Sequence, residues 1–496
     1  MLRALKGVFS YSDEELAVLK AGGDPQIVHR FTKNITVDGV DLRVVVAPNR
    51  ETPKLPAGRP IVFFVHGLGG QLNQFEHQID YFNYFADVLA VDLPGHGKSG
   101  DQPFAHYTSD RFVDLLEKVL EMQLLPTEFN KILLVGHSMG THIVLRLAHK
   151  LRDKCMGCVC IAPPAVLSDG VKRAQTFIRW FPVRPVFEYF RAADRNGGFD
   201  SPSVSRVLSQ ATTSRRIREK QLRTNLQVRS ASWLATFSQM KPLAEYEAAR
   251  VDVPVLIIAA VDDKVTPPEN AEILVEWIGK NSRLETITAA GHSVMIERPE
   301  VVNGLIADFI DQEVDKTLSL AWQLSYLATK TDKWSLKNEE KWKQTPAVGQ
   351  VVPHSHLRGM KTLRQTDDEH SPALLELNHP EIVAVIDISR EAPPYDSSTF
   401  SRIKYFKLPT VSKIPPSKDE VAQFIELVDS INVEKDQSIG VHCHYGFNRT
   451  GFFICSYLIE RCGLTVSDAL DAYARARPTG VHHPHFVDEL HVRYEQ

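Results

Sequence analysis

The chain has 496 residues, 43% of them hydrophobic and 24% charged, which excludes a disordered or fibrous protein and supplies core material for two or three folded units. A formal net charge of -4 at pH 7 gives no general attraction to polyanions, so strong nonspecific nucleic-acid binding is not expected. Six cysteines in so long a chain, three of them Cys155, Cys158 and Cys160, do not make a disulfide framework and suit reduced thiols in the cytoplasm, with the nucleus as an alternative.

Met1-Leu2-Arg3-Ala4-Leu5-Lys6 has basic residues but no apolar region after it, so it reads as an ordinary N-terminus. No run approaches the ~20 apolar residues of a membrane span, and none is expected. Over residues 1–310, short apolar runs at 61–65, 88–91, 132–135, 158–162 and 255–260 alternate with amphipathic stretches. That pattern predicts a parallel sheet covered on both faces. Between about 165 and 250 the strand signal lapses in favour of helix, with Trp180, Phe187, Phe190 and the run Arg215-Arg216-Ile217-Arg218, and this insert reads as a lid. Leu318, Trp322, Leu324 and Leu327 have helical spacing and predict a connecting helix over 311–338. After Pro346 the chain reads as loop through Pro353, His354, His356 and Gly359, and a strand over 382–387 then lies within a second α/β domain, 339–496.

Gly136-His137-Ser138-Met139-Gly140 follows the strand at 132–135 and opens a helix with Ile143, Val144, Leu147 and Leu151 on one face. In this strand, turn, helix setting G-x-S-x-G holds a serine hydroxyl clear of the sheet on a turn too crowded for side chains at 136 and 140. His66-Gly67-Leu68-Gly69-Gly70 follows an earlier strand, and the backbone N–H groups of Leu68 and Met139 would form an oxyanion hole. Downstream come Asp262-Asp263-Lys264-Val265-Thr266-Pro267 and then Gly291-His292-Ser293. With the loop from Val91-Asp92 to Lys98-Ser99, this ordered set resembles the α/β-hydrolase superfamily over about residues 40–310. The resemblance implies an α/β-hydrolase fold with a helical lid and a Ser138, Asp263, His292 triad acting on a small ester or related acyl substrate. His292 would take the serine proton, and Asp263, four residues before the proline, would hold the imidazole. His66, His96, His137 and Asp92 are expected to be loop and packing residues, and Cys155 and Cys158 to pack.

Further on, Ile439-Gly440-Val441-His442-Cys443 leads through His444, Tyr445, Gly446, Phe447 and Asn448 to Arg449-Thr450-Gly451 and an apolar helix at 452–459. A turn of that kind at a helix N-terminus aims its N–H groups at a tetrahedral dianion, so His444 to Arg449 are read as the phosphate cradle. The same field, with Arg449, would ionise Cys443 as the nucleophile. Arg449 supplies a fork for two phosphoryl oxygens, and Thr450 would hydrogen-bond the thiolate as it leaves a phosphocysteine. Neither constellation calls for a metal or an organic cofactor. Since 444–448 hold no Lys or Arg, phosphoinositides are expected to be poor substrates.

From about 381 to 496 the chain resembles the dual-specificity branch of protein tyrosine phosphatases, and most closely the RNA 5'-triphosphatase subgroup of metazoan-type mRNA capping enzymes. The matching pieces are Val385-Ile386-Asp387, Ile403-Lys404-Tyr405, the cysteine motif, Ile454-Cys455-Ser456-Tyr457-Leu458 and Ala476-Arg477-Pro478. His444-Tyr445 stands where the subgroup usually has Thr-His, and there is no K-x-D-G motif of a guanylyltransferase, so a capping enzyme is not expected. The resemblance implies a cysteine-phosphatase fold and leaves a phosphorylated protein and a triphosphorylated RNA open as substrates. Dual-specificity phosphatases use an aspartate as general acid on a loop before the cysteine. Here 407–419 contains only Asp419, which either serves as that acid or caps the following helix. The rival reading of the whole chain is a scaffold whose two sites bind ligand without turning it over.

Overall fold

The computed structural model is described here over residues 11–49, 60–83, 86–122, 124–125, 131–180, 184–212, 214–315, 336–390, 392–411 and 414–495. The chain divides into two units, Met1–Leu318 and Ser319–Gln496. The first begins its sheet with a hairpin, β1 (Thr32–Val37) and β2 (Val40–Ala47), around Asp38-Gly39, both at positive φ (48° and 77°). Asp-Gly suits that turn because glycine has no Cβ and aspartate tolerates left-handed backbone. The five apolar runs then form β3 (Ile61–Val65), β4 (Asp87–Val91), β5 (Ile132–His137), β6 (Cys155–Ile161) and β7 (Val255–Ala260), and the mostly half-buried β8 (Ser282–Ile287) follows. The order across the sheet is β1-β2-β4-β3-β5-β6-β7-β8, parallel from β4 to β8. β1 escapes a search for fully apolar runs because it is half exposed, whereas β2 carries Val44-Val45-Val46-Ala47 and is buried at all but Asp41.

Helix α1 (Met139–Leu151) follows β5 and buries Ile143, Val144, Leu147 and Leu151, the face its spacing predicts. Val65 of β3 pairs with Gly136 of β5, which brings the loop after β3 level with the turn into α1. Between β6 and β7 the described chain is helical, including α2 (Asp169–Trp180), α3 (Arg184–Asp194), α4 (Arg215–Gln227) and α5 (Ser230–Gln239).

In the second unit, α6 (Leu336–Gln344) precedes β9 (Val348–Val351), β10 (Leu357–Met360), β11 (Ile382–Ser389), β12 (Lys404–Thr410), α7 (Lys418–Ser430), β13 (Ser438–His442), α8 (Asn448–Cys462) and α9 (Val466–Ala476). The sheet order is β12-β11-β13-β10-β9, with only β9 antiparallel to its neighbour. Two expectations change here. The predicted connecting helix falls mostly on 316–335, outside the described residues, and α6 runs across its expected end at 338 with Trp342 fully buried. The expected loop after Pro346 contains β9 and β10, whose glycines answer to packing. A Cβ on Gly359 would lie 2.6 Å from the Tyr473 hydroxyl, and one on Gly349 2.9 Å from two carbonyl oxygens. Among the described residues no helix is long and apolar enough to cross a membrane.

Candidate active sites

Ser138 joins β5 to α1 at φ 52° and ψ -126°, backbone that costs a non-glycine residue about 1–3 kcal/mol and is held by its surroundings. A Cβ on Gly140 would lie 2.3 Å from the Val65 carbonyl oxygen, and one on Gly136 2.6 Å from that of Gly140. Close approach of three backbone segments is thus what the two motif glycines permit. Ser138, Leu68 and His292 line one cavity of about 710 Å³. Met139 opens α1 with its side chain buried.

His292 Nδ1 lies 2.8 Å from Asp263 Oδ2. Asp263 Oδ1 accepts the N–H groups of Val265 and Thr266 at 2.7 and 2.9 Å, and the Thr266 hydroxyl donates to Oδ2 at 2.8 Å. Burial opposes ionisation of Asp263, but the bond and charge of His292 and the Thr266 bonds outweigh it and hold the carboxyl below its usual range. Asp262 instead accepts the Ser209 hydroxyl. A further chain of contacts has no signature in the motifs. Gln74 Nε2 donates to His137 Nδ1 at 2.9 Å, and His137 Nε2–H donates to the His292 carbonyl at 2.9 Å. Burial, reinforced by His292, pushes the His137 pKa down to about 3, so the ring is neutral and suited to one donation and one acceptance.

His66 accepts the Leu93 N–H at 2.9 Å and donates to the Gly67 carbonyl at 2.7 Å, while burial lowers its pKa to about 4. Asp92 accepts the N–H groups of Leu72 and Lys98 and pairs with Arg43 at 3.1 Å. His96 donates to the Pro94 carbonyl at 2.9 Å, and burial lowers it to about 3. All three hold loops. Cys155 and Cys158 are buried on β6 with sulfurs 4.0 Å apart, and their contact together with burial pushes the Cys158 thiol up, away from reactivity.

In the second unit Cys443 follows β13, and α8 begins at Asn448. The carbonyls of the intervening loop are tied outward. His444 O accepts the Thr362 N–H at 3.0 Å, Tyr445 O accepts Arg477 Nη2 at 2.9 Å, and Gly446 O accepts the Tyr473 hydroxyl at 2.7 Å. Across a trans peptide the next N–H points the opposite way, so the amides of Tyr445, Gly446 and Phe447 turn inward. Gly446 has φ 71°, and a Cβ there would lie 2.2 Å from the Met360 carbonyl oxygen. Burial opposes ionisation of Cys443, but Arg449, the Thr450 hydroxyl and the amides of Gly446 and Thr450 lower the thiol below its ordinary value. Arg449 is buried and donates through Nη1 to the carbonyls of Thr410 and Ile388 at 2.8 and 3.2 Å. Its hydrogen bonds among the described residues all use Nη1, which leaves the rest of the fork for an anion.

Behind the nucleophile, His442 Nδ1–H donates to the Cys443 carbonyl at 3.0 Å, and Nε2 accepts the Tyr395 hydroxyl at 2.7 Å. Asp387, whose pairing partner on β13 is His442, binds Lys407 Nζ at 2.7 Å and the Tyr405 hydroxyl at 3.0 Å. At the rim, Phe447 stacks on His482 at 4.1 Å, and Asn448 Oδ1 accepts the N–H groups of His482 and His483. Lys341 Nζ stands 5.1 Å over the Tyr445 ring. The loop itself lacks Lys and Arg; α6 brings Lys341 over Tyr445, while Arg477 at the end of α9 is buried and holds the outward-turned carbonyls of Tyr445 and Gly446. Asp419 is not the helix cap. Ser417 caps α7, its hydroxyl accepting the Glu420 N–H at 3.1 Å, and Asp419 lies in the first turn.

Comparison with known proteins places residues 60–299 in the alpha/beta hydrolase fold family and residues 366–496 in the family of dual specificity phosphatase catalytic domains. An abhydrolase domain-containing protein of Schizosaccharomyces pombe is 28% identical over 267 residues, 52% of this chain and 71% of that protein. The mRNA-capping enzyme of Danio rerio is 31% identical over 171 residues, 31% of this chain but only 28% of that enzyme. A tyrosine-protein phosphatase of Autographa californica nuclear polyhedrosis virus is 27% identical over 162 residues, 30% of this chain and 96% of that protein.

Proposed function

We propose that this chain, which joins an α/β-hydrolase domain to a dual-specificity phosphatase catalytic domain, is a bifunctional hydrolase with Cys443 as phosphoryl acceptor and Ser138 as acyl acceptor. One observation carries the phosphatase half: a loop with its carbonyls tied outward around a thiol held below its ordinary pKa, beside a buried arginine. The Cys443 thiolate attacks phosphorus, the bond to the leaving oxygen breaks, and Arg449 with the loop amides takes up the charge of the equatorial oxygens. Water then attacks the phosphocysteine, phosphate departs, and Thr450 hydrogen-bonds the returning thiolate. In the other domain His292 accepts the Ser138 proton as Oγ attacks an ester carbonyl, and the N–H groups of Leu68 and Met139 hold the oxyanion. His292 passes the proton to the leaving alcohol, and water releases the acid by the same steps in reverse.

Phosphorylated protein is the substrate class we assign to Cys443, supported by the likeness to a viral tyrosine-protein phosphatase over nearly its whole length. A second reading, RNA 5'-triphosphate, is favoured by Lys341 at the rim, which suits a further phosphate, and by the likeness to capping enzymes. Six free thiols suit a reducing compartment, the cytoplasm or the nucleus. A panel of phosphotyrosine peptide, phosphothreonine peptide, 5'-triphosphorylated RNA and phosphoinositide tests the assignment. Release from the peptides is expected, release from RNA alone selects the second reading, and release from none overturns both. For the acyl half, a fluorophosphonate is expected to label Ser138, and failure to label it leaves a ligand-binding pocket.

A further inference from the structure

Glu297 is a buried carboxylate that no motif marks and that the proposed acyl chemistry does not use. It closes a one-turn helix, Val294–Glu297, two residues after His292, and is 7% exposed. Its Oε2 accepts the N–H of Gly291, the residue before His292, at 2.7 Å. Its Oε1 accepts the Ser209 N–H at 2.7 Å and the Thr212 hydroxyl at 2.6 Å. All three donors are uncharged. Burial raises the Glu297 pKa and the charge of Asp262 adds to the rise, although the three bonds oppose it. An apolar side chain would spare the cost of burying a charge. What the carboxylate supplies instead is one group that accepts from two segments far apart in the chain, 209–212 and 291.

Those two segments are in direct contact. A Cβ on Gly291 would lie 2.8 Å from the Leu208 carbonyl carbon and the Ser209 nitrogen, so backbone packs on backbone there. On the other side of His292, the Ser293 N–H donates to the Val207 carbonyl at 3.0 Å, and the Ser293 hydroxyl to Gln221 Oε1 at 2.8 Å. Residues 207–212 and Gln221 all belong to the insert between β6 and β7. The Ser209 hydroxyl also donates to Asp262, the neighbour of Asp263. Residues 288–293 lie in neither strand nor helix, so contacts of this kind are what fix their backbone. His292 is therefore fastened to the insert through the residue before it and the residue after it, while its own Nδ1 meets Asp263 at 2.8 Å. Val207, Gln221 and Ser293 also line the cavity of Ser138, so the surface that a ligand would touch is the one that holds the histidine.

We propose that Glu297 is a positioning residue for His292, clamping the peptide before the imidazole to segment 207–212 of the insert so that the ring stays on Asp263. The proposal rests on the reading of Ser138, Asp263 and His292 as an acyl-transfer triad. Glu297→Gln in the full chain keeps one oxygen for the Ser209 and Thr212 donors and sets an NH2 against the Gly291 N–H, so it releases the histidine side and spares the insert side. It is expected to lower p-nitrophenyl ester kcat by about tenfold or more with KM within about twofold of wild type, since a small misplacement of a reacting group is costly. Thr212→Val removes one insert donor and leaves Gly291 held, and is expected to lower kcat by about threefold. The second readout is the proton magnetic resonance of the His292 Nδ1–H in protein with isotope-labelled histidine, assigned by its absence in His292→Gln. Both variants are expected to shift or broaden that signal. An unchanged signal, or a loss confined to KM, makes Glu297 a part of the insert wall alone and overturns the proposal. Should Glu297→Gln fail to fold, Thr212→Val decides by the same two readouts. The signal is read without catalysis, so a Ser138 that fails to react with a fluorophosphonate defeats the acyl-transfer reading and leaves the placement of His292 to be judged by the signal.

Discussion

Ser138 and Cys443 occupy the same place in two sheets, where a parallel strand gives way to a helix, yet their surroundings prepare them differently. The serine sits on a one-residue turn, and on the proposed reading its proton acceptor is His292, which lines the same cavity and comes with Asp263 from the loops after β8 and β7. An alcohol needs that outside base. Cys443 has a loop of its own, and the local amides, Thr450 and Arg449 lower its pKa without any base. Activation by a base therefore depends on distant residues arriving in register. Activation by a field depends on a short loop being held open from outside, here by Tyr473, Arg477 and Thr362.

The contrast breaks if the two nucleophiles depend on each other. Cys443→Ser is expected to lower p-nitrophenyl phosphate turnover by ~10^4-fold or more and leave ester turnover intact, and Ser138→Ala the reverse. Either substitution abolishing both activities would make the sites one device. The base-dependent side is sharpened by Asp263→Asn, expected to lower ester kcat by ~10^3 to 10^4-fold through loss of the imidazole tautomer. Asp262→Asn, by comparison, is expected to cost less than about threefold, since its partner is Ser209.

On the field-dependent side the active form is the thiolate, so reactivity is lost as pH falls through the Cys443 pKa. Inactivation by iodoacetamide is expected to show its inflection below the ~8.5 of a free thiol. Thr450→Val is expected to move it upward, because the hydroxyl that helps hold the thiol down is removed, and so to reduce the thiolate on the acid side. An unshifted inflection would remove Thr450 from the account. Tyr473→Phe frees one outward tie of the loop and is expected to lower phosphatase kcat by about tenfold while ester kcat stays unchanged. The smallest effect concerns Asp419. Its place in the first turn of α7 predicts that Asp419→Asn changes turnover by less than about tenfold, below the ~10^2 to 10^4 of a general acid, with aryl phosphates and RNA 5'-triphosphate cleaved faster than phosphoserine. A hundredfold loss with disappearance of the basic limb would make Asp419 the acid.

The turns that carry Ser138 and Cys443, the parallel strands before them and the helices behind them were legible because each is a local statement. A G-x-S-x-G between an apolar run and an amphipathic one, or a cysteine six residues before an arginine, carries its geometry within a dozen residues. Asp263 and His292 could be named through the resemblance to the α/β-hydrolases, which puts the acid four residues before the proline, and the structure brings the two side chains to 2.8 Å. β1 and β9–β10 were not legible, since half-exposed or glycine-bearing strands lack an apolar run, and Gly359 reads as loop until Tyr473 is seen against it. Nor could the sequence reveal the Gln74 and His137 contacts behind His292, the Tyr395 bond to His442 or the approach of Lys341 to the cradle. These pairs lie far apart in the chain, and only the packing of strands and helices decides which distant side chains meet. The same holds for Trp180, Phe187 and Phe190: the sequence put them in one helical insert, but only the packing of that insert stacks Phe187 on Trp233 and leaves Trp180 and Phe190 exposed.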